Sequence, residues 1–220
     1  MPTRSGFSGR KALRLGQVAA VVLASPLVAP QLLAFPHRAT IAGHEVYSER
    51  PISPSVVRLV AEADALMRRD ALGSSRPLDQ SIFLTEGGWR WHWLAVSSRR
   101  SFAVSRPLGE PVIVNRADAE KDRMAGGTRR LSHVLAHELA HGAVRARFGI
   151  IRTLGMPAEL VEGYADHVAG SSTLSDQQAL ALRKSGQHHP GLVYLSGRKK
   201  VERTLRANGG DVTRLFEDWR

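Results

Sequence analysis

Leu131-Ser132-His133-Val134-Leu135-Ala136-His137-Glu138-Leu139-Ala140-His141 opens a segment, Leu131–Phe148, that reads as one helix. The rest of the chain is organised around it. Positions four apart on a helix lie one turn apart on the same face. His137 and His141 therefore present two imidazoles to one metal ion, with Glu138 beside them. In this H-E-x-x-H spacing the histidines bind Zn2+ and the glutamate takes a proton from a metal-activated water. The competing reading of the same five residues is a buried polar helix face with satisfied histidines. His133, one turn before His137, is an alternative ligand on the same side.

A catalytic zinc has three protein ligands and an open position, whereas a structural one is closed by four. The chain contains no cysteine, so thiolate sites are excluded and the third ligand is His, Asp or Glu. The strongest candidates lie in Pro157-Ala158-Glu159-Leu160-Val161-Glu162-Gly163-Tyr164-Ala165-Asp166. Proline suits a first helical turn, and Leu160, Val161, Tyr164, Ala165 and Val168 give this second helix an apolar side. Glu159 and Glu162 are three apart, so periodicity does not choose between them. Glu159 also suits a first turn simply through the helix dipole. One argument favours Glu162: Asp166 lies one turn further on, where it can accept a proton from the far nitrogen of a ligating histidine. Metal-bound histidines usually have such a partner.

His137-Glu138-Leu139-Ala140-His141 followed by Glu162-Gly163-Tyr164-Ala165 resembles the gluzincin metallopeptidases, the group containing thermolysin and the zinc aminopeptidases. The resemblance covers about residues 131–170. It implies Zn2+ as cofactor and hydrolysis of peptide bonds in a peptide or protein substrate, with Glu138 as general base. It also implies His137, His141 and Glu162 as metal ligands and Asp166 as support for a zinc histidine; Glu159 stays the alternative ligand on helix spacing alone. Gluzincins stabilise the oxyanion with a downstream His or Tyr. The candidates here are His188, His189 and Tyr194, with Tyr164 behind them. The strand just before the site helix, Pro111–Asn115, is implied as the cleft edge that pairs with an extended substrate.

The expected fold class is α+β: a small, mostly antiparallel sheet, then a helical core with the HExxH helix packed against a Glu-bearing helix. Strand-like segments are Ser81–Thr85, Arg90–Val96, Phe102–Ser105 and Pro111–Asn115, separated by glycine, proline and charged punctuation. Trp89, Trp91 and Trp93 alternate with Arg90 and His92, which places the tryptophans on one sheet face as core or substrate wall. A helix is expected over Val56–Arg69, after a short extended segment at Glu45–Ser48. Arg116–Arg130 reads as a surface loop, with Thr128 or Ser132 starting the site helix. Further helices follow Ser175 and Leu192, with a last turn at Asp211–Phe216.

The 220 residues suffice for one domain with a respectable core, expected over 36–220. The formal charge is +11. Without Arg4, Arg10, Lys11 and Arg14, 27 basic and 20 acidic residues remain. The arginines are spread rather than clustered with aromatics, so this charge reads as surface character and a nucleic-acid partner is not expected. Residues 1–35 read as a basic start followed by a nearly uncharged stretch, Leu15–Phe35, about as long as a membrane span. The expectation is a membrane anchor or signal peptide, with the catalytic part outside the cytoplasmic membrane by the positive-inside rule. Two rival functions remain: a non-catalytic metal- or peptide-binding protein, and a basic membrane-associated binding protein.

Overall fold

The computed structural model describes residues 7–74, 80–96, 98–108, 110–124 and 129–219. Thr128, one of the two expected helix starts, lies outside them.

Strands β1 (His37–Ile41) and β2 (His44–Ser48) form a hairpin around Ala42-Gly43, both at positive φ (52° and 91°). Two such residues in a two-residue loop match the right-handed twist of the flanking strands. Helix α2 (Pro54–Arg68) follows, capped by the Ser53 hydroxyl, which accepts from the Val56 N–H. The helix expected over Val56–Arg69 is present, and it turns Val56, Leu59, Val60, Ala63 and Met67 into the core, while Val57, Ala61 and Ala65 stay exposed. After the single turn α3 (Ala71–Ser74) come β3 (Ile82–Thr85), α4 (Trp89–Ala95), β4 (Ala103–Ser105) and β5 (Val112–Asn115). These strands form a five-stranded sheet in the order β1-β2-β3-β5-β4.

The α+β class is as expected, and the sheet is mixed. Its centre, β2-β3-β5, is parallel, and the flanking pairs β1-β2 and β4-β5 are antiparallel. Parallel neighbours need a long crossover, and α2 supplies one between β2 and β3. Alternation sorts the strand residues between two cores. Ile82, Leu84, Val112 and Val114 join α2 on one face, while Phe83 and Ile113 join α4 on the other. Both faces of β3 and β5 are thus largely removed from water, and each fully buried Val, Ile or Phe contributes about 1.5–3 kcal/mol.

The segment expected as a strand, Arg90–Val96, falls instead on helix α4, which ends at Ala95. The W-R-W-H-W alternation mimics a period of two, but the buried positions are Trp91, Leu94 and Ala95, the i, i+3, i+4 set of a helix. Trp89 and Trp93 are exposed. Trp91 donates its indole N–H to the Arg99 carbonyl at 3.1 Å. The tryptophans therefore share no sheet face and form no substrate wall.

The membrane anchor is also corrected. No helix among the described residues is long and apolar enough to cross a membrane. Helix α1 (Phe7–Ala24) gives way to two 3₁₀ turns at Ser25–Leu27 and Pro30–Leu33, where Pro26 and Pro30 are buried. Proline removes a helical hydrogen bond and clashes with the preceding turn, so Leu15–Phe35 cannot continue as one rod. Its end is used inside the protein: Leu33 and Phe35 pack on the α4 core, with the Phe35 ring 5.3 Å from Phe83. The expectation of a chain held in a membrane by this stretch, with its catalytic part anchored outside, is therefore not met.

After the two-residue strands β6 (Ala117–Asp118) and β7 (Arg123–Met124) comes the site helix, α5 (Leu131–Phe148). Its first turn is capped from a distance. Asp122 accepts from the Ser132 N–H at 2.8 Å and from the Ser132 hydroxyl at 3.1 Å. Gly149 ends the helix at φ 84°, as its type suggests. Then follow α6 (Ile150–Leu154), α7 (Ala158–Val168), α8 (Asp176–Lys184), α9 (Pro190–Ala207) and α10 (Val212–Glu217). Ser175 and Gln178 close a capping box at the start of α8.

Helices α7 and α9 cross at two glycines. A Cβ on Gly163 would collide with the backbone of Gly197, and one on Gly197 with the Glu159 carbonyl. Gly163 follows Glu162 directly, so this close crossing also fixes the height of the Glu162 side chain.

Candidate metal centre

Helix α5 buries Leu135, Leu139, Ala140 and Val144 against the sheet and α2. This leaves His137, Glu138 and His141 on the side facing α7. Helix α7 buries Leu160, Tyr164 and Ala165 in the same core, which turns Glu162 toward the two histidines. His137, His141 and Glu162 form the one such cluster among the described residues able to hold a metal ion. Nε2 of His137 lies 3.2 Å from Nε2 of His141 and 3.2 Å from Oε2 of Glu162. The His141 Nε2 to Glu162 Oε2 distance is 3.7 Å. Nitrogen and oxygen donors about 2.0–2.1 Å from a tetrahedral ion stand roughly 3.3 Å apart. The three donors therefore fit a small divalent cation without rearrangement.

The surroundings support the same fit. Nδ1 of His137 lies 2.9 Å from Oδ1 of Asp166, and a carboxylate can only accept. This fixes the proton on Nδ1 and turns Nε2 toward the cluster. Burial pushes the His137 imidazole toward neutrality, but the hydrogen bonds to Asp166 and Glu162 outweigh it and hold the pKa up at about 9. Burial likewise opposes the charge on Glu162, and the two histidines reverse this and hold its carboxyl well below the usual range. The pocket thus demands positive charge between its donors, from protons or from a metal ion.

Asp166 is fully buried. Burial works against its charge, yet His137 and Arg129 keep its pKa low. Arg129 places Nη2 at 2.9 Å from the same Oδ1 and is itself held by the hydroxyl and carbonyl oxygens of Ser171. Arg129 is the group that sequence reasoning missed. It belongs to a stretch that reads as a surface loop, and no local pattern announces that its guanidinium turns inward onto Asp166.

His137, Glu138, His141, Glu162, Arg129 and Tyr194 line one cavity of about 750 Å³. Tyr194 reaches it from α9. Burial, and then the carboxylates of Glu162, Asp166 and Glu138, raise its phenol pKa, so it stays a hydrogen-bond donor at neutral pH. The other oxyanion candidates do not line this cavity. His188 is exposed, and His189 is used as the cap of α9, its Nδ1 accepting from the Gly191 N–H at 3.0 Å. Tyr164 points the opposite way and donates to Asp70. Glu159 turns to α9, where it meets the Ser196 hydroxyl at 3.2 Å and Lys200 at 3.8 Å. It is not in the donor cluster. His133 stands outside that cluster too.

The sheet edge beside the cavity is β4, not β5. Strand β5 is paired on both sides, with β3 and with β4. Strand β4 is last in the sheet order, and Phe102 to Arg106 line the cavity. Chain order alone suggests the strand nearest the helix in sequence, but the β4-β5 hairpin folds its first strand outward.

No family model, curated protein or solved structure matches this chain.

Proposed function

We propose that this chain is a zinc-dependent hydrolase of peptide bonds, of the gluzincin kind that its motifs resemble. The observation that carries the reading is the convergence of His137, His141 and Glu162 at tetrahedral spacing, with Glu138 in the same cavity. Two imidazoles and one carboxylate suit zinc, and the fourth position is left to the cavity. Bound there, zinc supplies Lewis acidity to a water molecule and to the scissile carbonyl.

The chain's own groups do the rest. Glu138 follows a ligand without joining the cluster. It can take the proton of the attacking water and return it to the leaving amine. Tyr194 donates its phenolic hydrogen to the oxygen that gathers negative charge. Asp166 holds the His137 ring in the ligating orientation, and Arg129 holds Asp166. The outer edge of β4 offers backbone donors and acceptors to an extended peptide, which binds by ladder hydrogen bonds.

The test is hydrolysis of a peptide mixture by the zinc-loaded chain and by Glu138→Gln. Loss of the general base is expected to lower turnover by about 10²- to 10⁴-fold with zinc retained. Zinc-loaded protein that cleaves nothing, or a variant as active as the parent, contradicts the proposal. The first of these outcomes favours a metal-binding protein without catalysis.

A further inference from the structure

Helix α5 carries a second buried charge on the cavity side. Arg145 stands one turn after His141, and its side chain is 9% exposed. A guanidinium so far from water must be paired, and its partners lie at the end of β4 and in the segment that leads on to β5. Its Nε and Nη2 donate to Oε2 of Glu110 at 2.9 and 2.6 Å. Nη2 also donates to the Ser105 hydroxyl at 2.5 Å and to the Arg106 carbonyl at 3.3 Å. Gly142 makes room for the Gln80 side chain, whose amide donates to the Glu110 carbonyl at 3.3 Å.

A helix-to-sheet staple is common. This one joins the two parts of the cavity that a substrate must span. Among the described residues β4 pairs only with β5, so its other edge depends on what fixes its end. Ser105 is the last residue of β4. One turn of α5, about 6 Å of rise, separates the arginine that grips it from a metal-ligand histidine. We propose that Arg145 is a positioning residue that sets the height of the open β4 edge relative to His137, Glu138 and His141. An extended peptide lying on β4 then brings its scissile carbonyl to Glu138. This rests on the hydrolase reading above. Displacement of a reacting group by about 1 Å can cost on the order of 100-fold in rate, so the staple bears on turnover as well as on folding.

The experiment compares the zinc-loaded full chain with Arg145→Lys and Ser105→Ala. One substrate is a peptide long enough to lie along β4, and the other is a blocked amide too short to reach it. KM, kcat and zinc content are read for each. Lysine keeps the charge but cannot hold several oxygens in a fork. The ratio of kcat/KM for long over short substrate is expected to fall by about tenfold or more in Arg145→Lys, with zinc unchanged. Ser105→Ala, which removes one hydrogen bond, is expected to lower the same ratio by roughly threefold. A variant that loses both activities by one common factor has lost only structure, and the proposal is overturned. If Arg145→Lys does not fold, an unchanged ratio in Ser105→Ala overturns it alone. Failure of the hydrolase reading looks different: the parent itself, with zinc bound, would cleave neither substrate.

Discussion

One carboxylate oxygen of Asp166 serves two partners: Nδ1 of His137 and Nη2 of Arg129 both lie 2.9 Å from it. The histidine is thereby oriented by an acid whose own charge is partly balanced from behind. This connects the cluster on α5 and α7 to a residue outside both helices.

Asp166→Asn keeps the shape of the side chain and removes the charge. It is expected to weaken zinc affinity by about 10- to 100-fold, as loss of a ligand's hydrogen-bond partner commonly does. Competition against a chromophoric chelator reads this directly. Unchanged affinity would show that the Asp166 contact does not tune the site.

Metal binding is expected to release protons. The His137 pKa is raised from 6.5 to about 9, so the metal-free ring is largely protonated at pH 7 and must lose a proton to ligate. Affinity should climb with pH and level off above about 9. Titration calorimetry in buffers of different ionisation heat measures the release. The stability of the metal-free protein carries the opposite sign. A raised pKa contributes stability that is full below 6.5 and lost as pH rises through about 9. Glu162, whose pKa is lowered from 4.5, contributes stability above that value that is lost on acidification.

Tyr194→Phe removes one hydroxyl from the cavity. If its phenol stabilises the oxyanion, kcat should fall by about 10²- to 10³-fold with zinc content and KM nearly unchanged. Steady-state kinetics on any cleaved peptide decides this. An undiminished kcat would leave Tyr194 as a wall residue.

Gly163→Ala places a methyl group against the Gly197 backbone. Forced crowding of this kind costs about 1–3 kcal/mol. A lower Tm is expected, together with weaker zinc binding, because the displaced helix carries Glu162. A fully stable variant would mean that the α7–α9 crossing relaxes freely.

The donor cluster of His137, His141 and Glu162 was legible because its key spacings are local. His137 with His141, and Glu162 with Asp166, are pairs four apart, and an amphipathic helix turns each pair to one side. The α+β class and most helices followed from the same periodicity. What escaped depends on contacts distant in sequence. Arg129 meets Asp166 through a loop, and β4 rather than β5 is the edge because of how a hairpin folds back. The Trp89–Trp93 alternation was compatible with a strand until the burial of Trp91 and Leu94 decided for a helix. Leu15–Phe35 had the length and polarity of a span, but Pro26 and Pro30 divide it and Phe35 belongs to the core.

The most direct test is the metal content of the purified full chain beside Glu162→Ala and Glu159→Ala. About one zinc per chain is expected in the parent and in Glu159→Ala, with strong loss in a folded Glu162→Ala. A folded parent that takes up no zinc, or zinc lost with Glu159→Ala and kept with Glu162→Ala, would contradict that expectation.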